Sequence, residues 1–326
     1  MARESSVVVV LVVLLLVMFN SSVRGPFFSQ QNILNTLLQV ALLAIYAIGE
    51  TVVIITGGID LSLGSLMAFT GMVLGISANG LAHHHFSMTN VLILSISFTL
   101  LVSLLIGVIH GVLVAWLKLP AFVVTLASLT LLRSQALVLN NQLPVTISQY
   151  GFLNTLANGQ FFAGSKFAIP IPFVLMVVLA IISHLILARS PLGRYIYSVG
   201  SNEQAARLSG IDVAKVKLFV YCLSAVLGGI AGILFAGYGA QGDPTSAVGY
   251  ELNAVAAAVI GGANLMGGEG SIIGTILGAA LLEILLAAIN IKLANPTVWQ
   301  GTVVGGVLLF AVLASAFQQR KNRPTV

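Results

Sequence analysis

Charge is what this sequence lacks most. Asp, Glu, Lys and Arg together make up 7% of its 326 residues, against roughly a quarter in an ordinary soluble domain. So little charge cannot cover a water-exposed surface, and this excludes a soluble globular protein. The chain has one cysteine, Cys222, which excludes an intramolecular disulfide or a cysteine-based metal cluster. Cys222 lies in an apolar stretch and reads as a small packing residue. A phosphate loop of the G-x-x-x-x-G-K-[ST] type is absent, and no lysine follows a glycine anywhere in the chain. ATP hydrolysis by this chain is therefore not expected, and energy for any work must come from a partner or an ion gradient. No nucleophile–base constellation appears, so no catalytic residue and no cofactor is expected. His83, His84 and His85 stand side by side, without the spacing of zinc ligands, and read as a solvated loop rather than a metal site.

What the sequence has is hydrocarbon. Hydrophobic residues make up 58% of the chain, in repeated runs of about 20, the length that spans ~30 Å of bilayer as helix. The ~10-residue alternating segments of a membrane barrel are missing. The reading is an all-α, polytopic transmembrane helical bundle forming a single domain over residues 1–326. It has about ten membrane segments: 7–20, 33–56, 62–79, 91–117, 120–139, 168–187, 216–237, 250–266, 271–290 and 299–316. The first could be the core of a cleaved signal peptide, but no A-x-A-type site follows it, and it is kept as a helix. With a cytoplasmic N-terminus, Arg3, Lys118, Arg189, Arg194, Arg207, Lys215, Lys217, Arg320, Lys321 and Arg323 fall inside. Arg24, Lys166 and Lys292 fall outside. That bias sets both termini in the cytoplasm. It also accounts for the net charge of +5 without invoking nucleic acid.

Two segments share the pattern GG-x-[DN]-L-x-x-G: GGIDLSLGS from Gly57 and GGANLMGGEGS from Gly261. Their signature residues are Gly57, Gly58 and Asp60 in the first, and Gly261, Gly262 and Asn264 in the second. Chance similarity in a Gly- and Leu-rich chain is one explanation; an internal duplication, common in transporters, is the preferred one. Polar breaks in an apolar run are tolerated only where protein or a watery cavity surrounds them. Asp60 at such a break is either functional or the N-cap of the next helix, and the cap reading fits the following LSLGSLMAF. Glu50, Arg133 and Glu283 lie inside apolar segments, where charge is expensive and faces the interior by default. An Arg133 pairing with either acid is conceivable. Glycines four apart, at Gly107 and Gly111, Gly228 and Gly232, Gly270, Gly274 and Gly278, and Gly301 and Gly305, suit close helix packing.

The most informative loop spans about 190–215. Ser201 and Asn202 followed by Glu203 form a helix-start pattern. EQAARLSG then reads as a short helix with small Ala205 and Ala206, ending at Gly210. Such a helix can press into a groove on a partner or rest in lipid headgroups with Arg207 and Lys215 on phosphate; the residues alone do not separate these.

The stretch GSNEQAARLSGIDVAKVKLFVYCLSAVLGGIAGIL resembles the hallmark loop of permease subunits in bacterial sugar ABC importers of the ribose-permease type. VVIITGGIDLSLGSLMAFTG at 52–71, LPAFVVTLASL at 119–129 and ELNAVAAAVIGGANLMGGEGSIIGTILGA at 251–279 resemble the family's other hallmarks, in the right order. The resemblance covers roughly residues 33–316. Many members would carry a non-acidic residue where Glu50 stands, which speaks against a family-wide role for it. The resemblance implies that Glu203, Ala205, Ala206, Arg207 and Gly210 form an element docking on a cytoplasmic ABC ATPase. It implies an external sugar-binding protein that delivers a monosaccharide, and a second permease subunit, identical or related, beside this one in the bilayer. The competing reading is a gradient-driven secondary transporter using Glu50 or Glu283 as an ion site. An intramembrane enzyme has no supporting motif.

The topology is directly testable. Cysteines introduced at His84 and Asn158 are expected to label from the external side, and one at Ser201 only from the cytoplasm. External labelling at Ser201 would overturn the orientation.

Overall fold

The computed structural model describes residues 21–84 and 86–321. The expected segment 7–20 and His85 lie outside the described residues. The helices are α1 Ser21–Phe27, α2 Gln30–Ile55, α3 Leu63–His83, α4 Met88–Ala115, α5 Ala121–Val138, α6 Gly151–Asn158, α7 Ile171–Arg189, α8 Pro191–Ser201, α9 Glu203–Leu208, α10 Val213–Gly239, α11 Tyr250–Ile260, α12 Ile272–Lys292 and α13 Pro296–Lys321. Among the described residues, strand structure is limited to two-residue ladders. In one, β1 (Val145–Thr146) pairs antiparallel with β4 (Gln241–Gly242). In the other, β2 (Gln160–Phe161) pairs with β3 (Ile169–Pro170).

Six of the thirteen helix starts among the described residues follow from local capping chemistry. A short polar side chain accepts an otherwise orphaned backbone N–H at Ser29 (from Asn32), Ser87 (from Asn90), Ser190 (from Gly193), Asn202 (from Ala205), Asp212 (from Lys215) and Ser271 (from Gly274). Seven helices among the described residues are long and apolar enough to cross a membrane: α2, α3, α4, α5, α7, α10 and α12.

The bundle is built around α2. Every residue from Val40 to Thr56 is buried, as expected of a helix that is apolar all round. Helices α7, α10, α11 and α12 enclose it, while α4 packs on α10 and α3 on the outer side. The outer helices α4, α5 and α7 expose rows of Leu, Ile, Val and Phe, such as Ile93, Leu101 and Ile109 on α4; these are faces for lipid or another subunit.

Glycine sets how closely the helices approach. A Cβ at Gly107 would lie 2.7 Å from the Tyr221 carbonyl oxygen, and one at Gly111 would lie 2.8 Å from the Leu218 Cα. These two residues let α4 touch the α10 backbone. Gly232 does the same for α10 on α3, and Gly274 and Gly278 for α12 on α11. Gly301 and Gly305 differ, having nothing within 4 Å among the described residues.

One expected span is corrected. Residues 250–266 do not form a spanning helix: α11 stops at Ile260 after 11 residues, about 16 Å at 1.5 Å per residue, roughly half the hydrocarbon core. Before it, the chain turns back at the end of α10. The Ala240 backbone is left-handed (φ +55°), and Gly242 packs against Gly71 in α3. The turn 243–249 then leads into α11, so an irregular segment and a half-helix together replace a full helix. Such backbone is found within membranes only where protein surrounds it.

Candidate functional site

The first interrupted segment follows α2. Gly57 takes the left-handed region (φ +79°). The Gly57 N–H donates to the Ile54 carbonyl at 2.8 Å and the Gly58 N–H to Val53 at 3.1 Å, a glycine-dependent helix stop. The chain then climbs back beside α2. The Asp60 N–H reaches both oxygens of Glu50 at 3.2 Å, and Thr125 Oγ1 on α5 donates to the Ile59 carbonyl at 2.9 Å. Glu50 and Asp60 are both fully buried.

The cap role expected for Asp60 is corrected here. Its Oδ1 accepts the Ser62 N–H and hydroxyl at 3.1 and 2.6 Å, two residues on and before the helix. Ser62, the residue at the α3 N-cap, makes no side-chain cap bond. Asp60 forms an Asx turn, and its second oxygen accepts from Ser224 Oγ of α10 at 3.1 Å.

The second interrupted segment uses the same devices. Gly262 is left-handed (φ +91°), and the Ala263 N–H returns to the Ala258 carbonyl at 2.9 Å. Asn264 Oδ1 accepts the Met266 N–H at 3.0 Å, again two residues on. The two segments meet in space: the Gly268 N–H donates to the Ile55 carbonyl at 2.9 Å. A Cβ on Gly267 would lie 2.7 Å from the Gly200 carbonyl oxygen and 3.0 Å from the Gly57 nitrogen. Tyr197 Oη of α8 donates to the Gly270 carbonyl at 2.8 Å. The repeated motif thus builds one junction under the loop 190–215.

Over that junction sits α9. Asn202 Oδ1 caps it at the Ala205 N–H, 2.9 Å away. Gly210 (φ +83°) ends it, with the Ile211 N–H on the Ala206 carbonyl at 3.1 Å. Ala206 faces inward and is buried, so of the two expected seating residues Ala205 alone is exposed. Leu208 is 84% exposed, and Met266 on the second interrupted segment is 80% exposed.

Glu203 pairs with Arg207 at 3.0 Å and with Lys217 of α10 at 2.7 Å. The Lys217 ammonium, hydrogen-bonded to it, is the main reason its carboxyl is held below the usual carboxylate range, with Arg207 adding to the effect. Pairs this exposed contribute little stability, under about 1 kcal/mol; what they fix is the position of α9. On α10, Lys217, Tyr221 and Ser224 stand at i, i+4 and i+7, one face of a helix. Lys217 holds α9, the Tyr221 hydroxyl lies against Gly58, and Ser224 holds Asp60. The sequence reading missed these three because they sit singly in an apolar helix; a polar residue at each turn of one face was the available signal.

The remaining charged candidates go elsewhere. Arg133 Nη1 donates to the Pro244 and Ser246 carbonyls at 2.8 and 2.7 Å, satisfying the irregular turn before α11. No ion pair joins Arg133 to Glu50 or Glu283 among the described residues. Beside that turn lies a cavity of about 80 Å³ whose lining includes Phe235, Gln241, Asp243 and Ser246. Phe235 stands edge-on to Tyr250, centroids 5.5 Å apart. Tyr250 in turn stacks on Tyr46 at 6.1 Å.

Comparison with known proteins identifies the family. A family model described as branched-chain amino acid transport system / permease component matches residues 32–312. The ribose import permease protein RbsC of Haemophilus influenzae is 39% identical over 306 residues, covering 93% of this chain and 90% of the relative. RbsC of Escherichia coli K12 is 38% identical over 304 residues, covering 92% and 90%. The xylose transport system permease protein XylH of Haemophilus influenzae is 32% identical, covering 93% of each chain. No solved structure matches. The chain belongs to this permease family, in the group of sugar ABC-importer permeases. It is a multi-pass membrane protein, and its relatives are transport permeases rather than enzymes.

The Glu203 pairs set a pH expectation. A carboxyl whose value is lowered on folding contributes stability above its unfolded value, about 4.3, and loses it as pH falls through the lower folded value. Hydrogen exchange at amides 205–211, corrected for intrinsic rates, should therefore be flat from pH 8 to about 5. It should rise only under more acidic conditions. Glu203→Gln should raise it across the whole range. A rise between pH 7 and 6 in the unaltered chain would contradict the assignment.

Proposed function

We propose that this chain is the membrane-spanning permease subunit of an ATP-driven importer in the bacterial inner membrane, carrying a pentose- or hexose-like monosaccharide. A soluble binding protein delivers the sugar outside, a cytoplasmic ABC ATPase docks on α9, and two permease subunits enclose the path. The chain crosses the bilayer ten times with both termini in the cytoplasm. The two interrupted segments carry the docking motion inward, and Phe235, Gln241, Asp243 and Ser246 border the path. An aromatic face with nearby hydrogen-bonding groups suits a sugar ring, and relatives named for ribose and xylose support that substrate class.

One observation carries the reading. The short α9 presents Ala205 and bare Leu208 to the cytoplasm while an ion pair fastens it to α10. A connector between two helices needs neither feature. The gradient-driven alternative loses Glu50 as an ion site, because Glu50 is fully buried and accepts the Asp60 N–H.

Leu208→Asp tests this. Insertion and abundance should be normal, since the side chain touches no core. ATPase co-purification and sugar uptake should fall about 5- to 30-fold, the loss of roughly 1–2 kcal/mol at a docking contact. Phe167→Asp, an equally bare residue on the external side, should change neither. Normal uptake and co-purification in a Leu208→Asp, Ala205→Arg variant would refute the docking role.

A further inference from the structure

A second cavity, of about 250 Å³, opens at the cytoplasmic end of the bundle, between the Gly57–Gly58 turn, the α4–α5 turn, α9 and α10. Three observations set it apart. Tyr221 lines it, and the Tyr221 hydroxyl is fully buried with no hydrogen-bond partner, a donor whose burial costs free energy unless something accepts from it. Lys118 lines it from the α4–α5 turn in the left-handed region (φ +54°). A side chain is strained there and glycine is the natural occupant, and strain of this kind collects at functional positions. No acid pairs with Lys118 among the described residues.

The charge balance favours an anion. Lys118, Lys217 and Glu203 line the cavity. Glu203 is already neutralised by Lys217 and by Arg207 outside the lining, which leaves the Lys118 ammonium uncompensated. The lip indicates where the anion comes from. Trp116, Leu117, Leu119 and Phe122 flank Lys118 and are 43–61% exposed, an apolar rim with a tryptophan of the kind found at the membrane–water interface. Basic pockets between membrane helices on the cytoplasmic side take anionic lipid head groups.

We infer that this cavity is a binding site for the phosphate head group of an anionic phospholipid, held by Lys118 and the Tyr221 hydroxyl, with the acyl chains on the exposed faces of α4 and α5. Because the site touches Glu203, Lys217 and the Gly57–Gly58 turn, a bound lipid would brace α9 against the first interrupted segment. The site itself does not depend on which solute is carried.

The test uses the two tryptophans, Trp116 and Trp299. With Trp299→Phe, the fluorescence reports only from the cavity lip. The full chain is reconstituted in mixtures containing brominated phosphatidylglycerol or brominated phosphatidylcholine, and quenching gives the relative affinity. Phosphatidylglycerol should be preferred, and Lys118→Gln should reduce the preference about fivefold, as expected for one basic residue at an anionic surface. Tyr221→Phe, which keeps the ring and removes only the buried donor, should also reduce it. Lys166→Gln on the external side should not. Glycerol 3-phosphate at millimolar concentration should leave the quenching unchanged. Equal quenching by the two lipids, a preference indifferent to Lys118 and Tyr221, or displacement by the soluble phosphate ester would each overturn the lipid site.

Discussion

The structure depends on one constraint: backbone that leaves helical form inside a membrane must find every hydrogen bond within the protein, because the hydrocarbon offers none. This chain breaks its helices three times near functional positions, and at each break a polar side chain takes up backbone groups. Glu50 accepts from the Asp60 N–H, Asp60 accepts from Ser62 and Ser224, Asn264 accepts from Met266, and Arg133 donates to two carbonyls before α11. Of the intramembrane charges that invite a reading as ion sites, Glu50, Asp60 and Arg133 are thus committed to holding irregular backbone. Their cost, several kcal/mol for an unsatisfied polar group in this setting, is the cost of having breaks at all.

The breaks give the bundle something a set of straight helices lacks. The Gly57 and Gly261 segments are far apart in sequence yet bond through Gly268 and Ile55 directly beneath α8 and α9. Helix α10 runs past both α9 and the first break. From Lys217 to Ser224 is about 10 Å along its axis, and the same face holds Glu203 at one end and Asp60 at the other. Under the docking role proposed for α9, a stiff helix fastened at both points would transmit a push on α9 to the interrupted segment. The Gly107 and Gly111 contacts, which leave no slack between α4 and α10, keep that helix in its track.

Much of this was legible in the chain. Hydrophobic run lengths placed most of the spanning helices to within a few residues, and Asn202, Glu203 and Gly210 marked α9 at both ends. The GG-x-[DN]-L repeat pointed to two segments that adopt the same Asx turn. What was not legible has a physical reason in each case. Apolar character continues through AVIGGANLM, so hydropathy could not reveal that α11 ends at Ile260. Asp60 and Ser62 look like a helix start because an Asx turn and an N-cap use the same residue types. Which way Ala205 and Ala206 face depends on how α9 lies on the bundle, which a six-residue period cannot specify. Lys217, Tyr221 and Ser224 acquire their roles only through partners distant in sequence.

The central claim is that the docking helix and the Asp60 segment act as one unit through α10. A double-mutant cycle tests it most directly, with ATP hydrolysis stimulated by sugar-loaded binding protein as the readout. Glu203→Gln loosens one end of the connection and Ser224→Ala the other. If the two ends act through one helix, breaking either uncouples both, and the double variant should be about as impaired as the worse single variant. Independent contributions would instead multiply the two losses. A multiplicative result, or full stimulation in Ser224→Ala, would contradict this account.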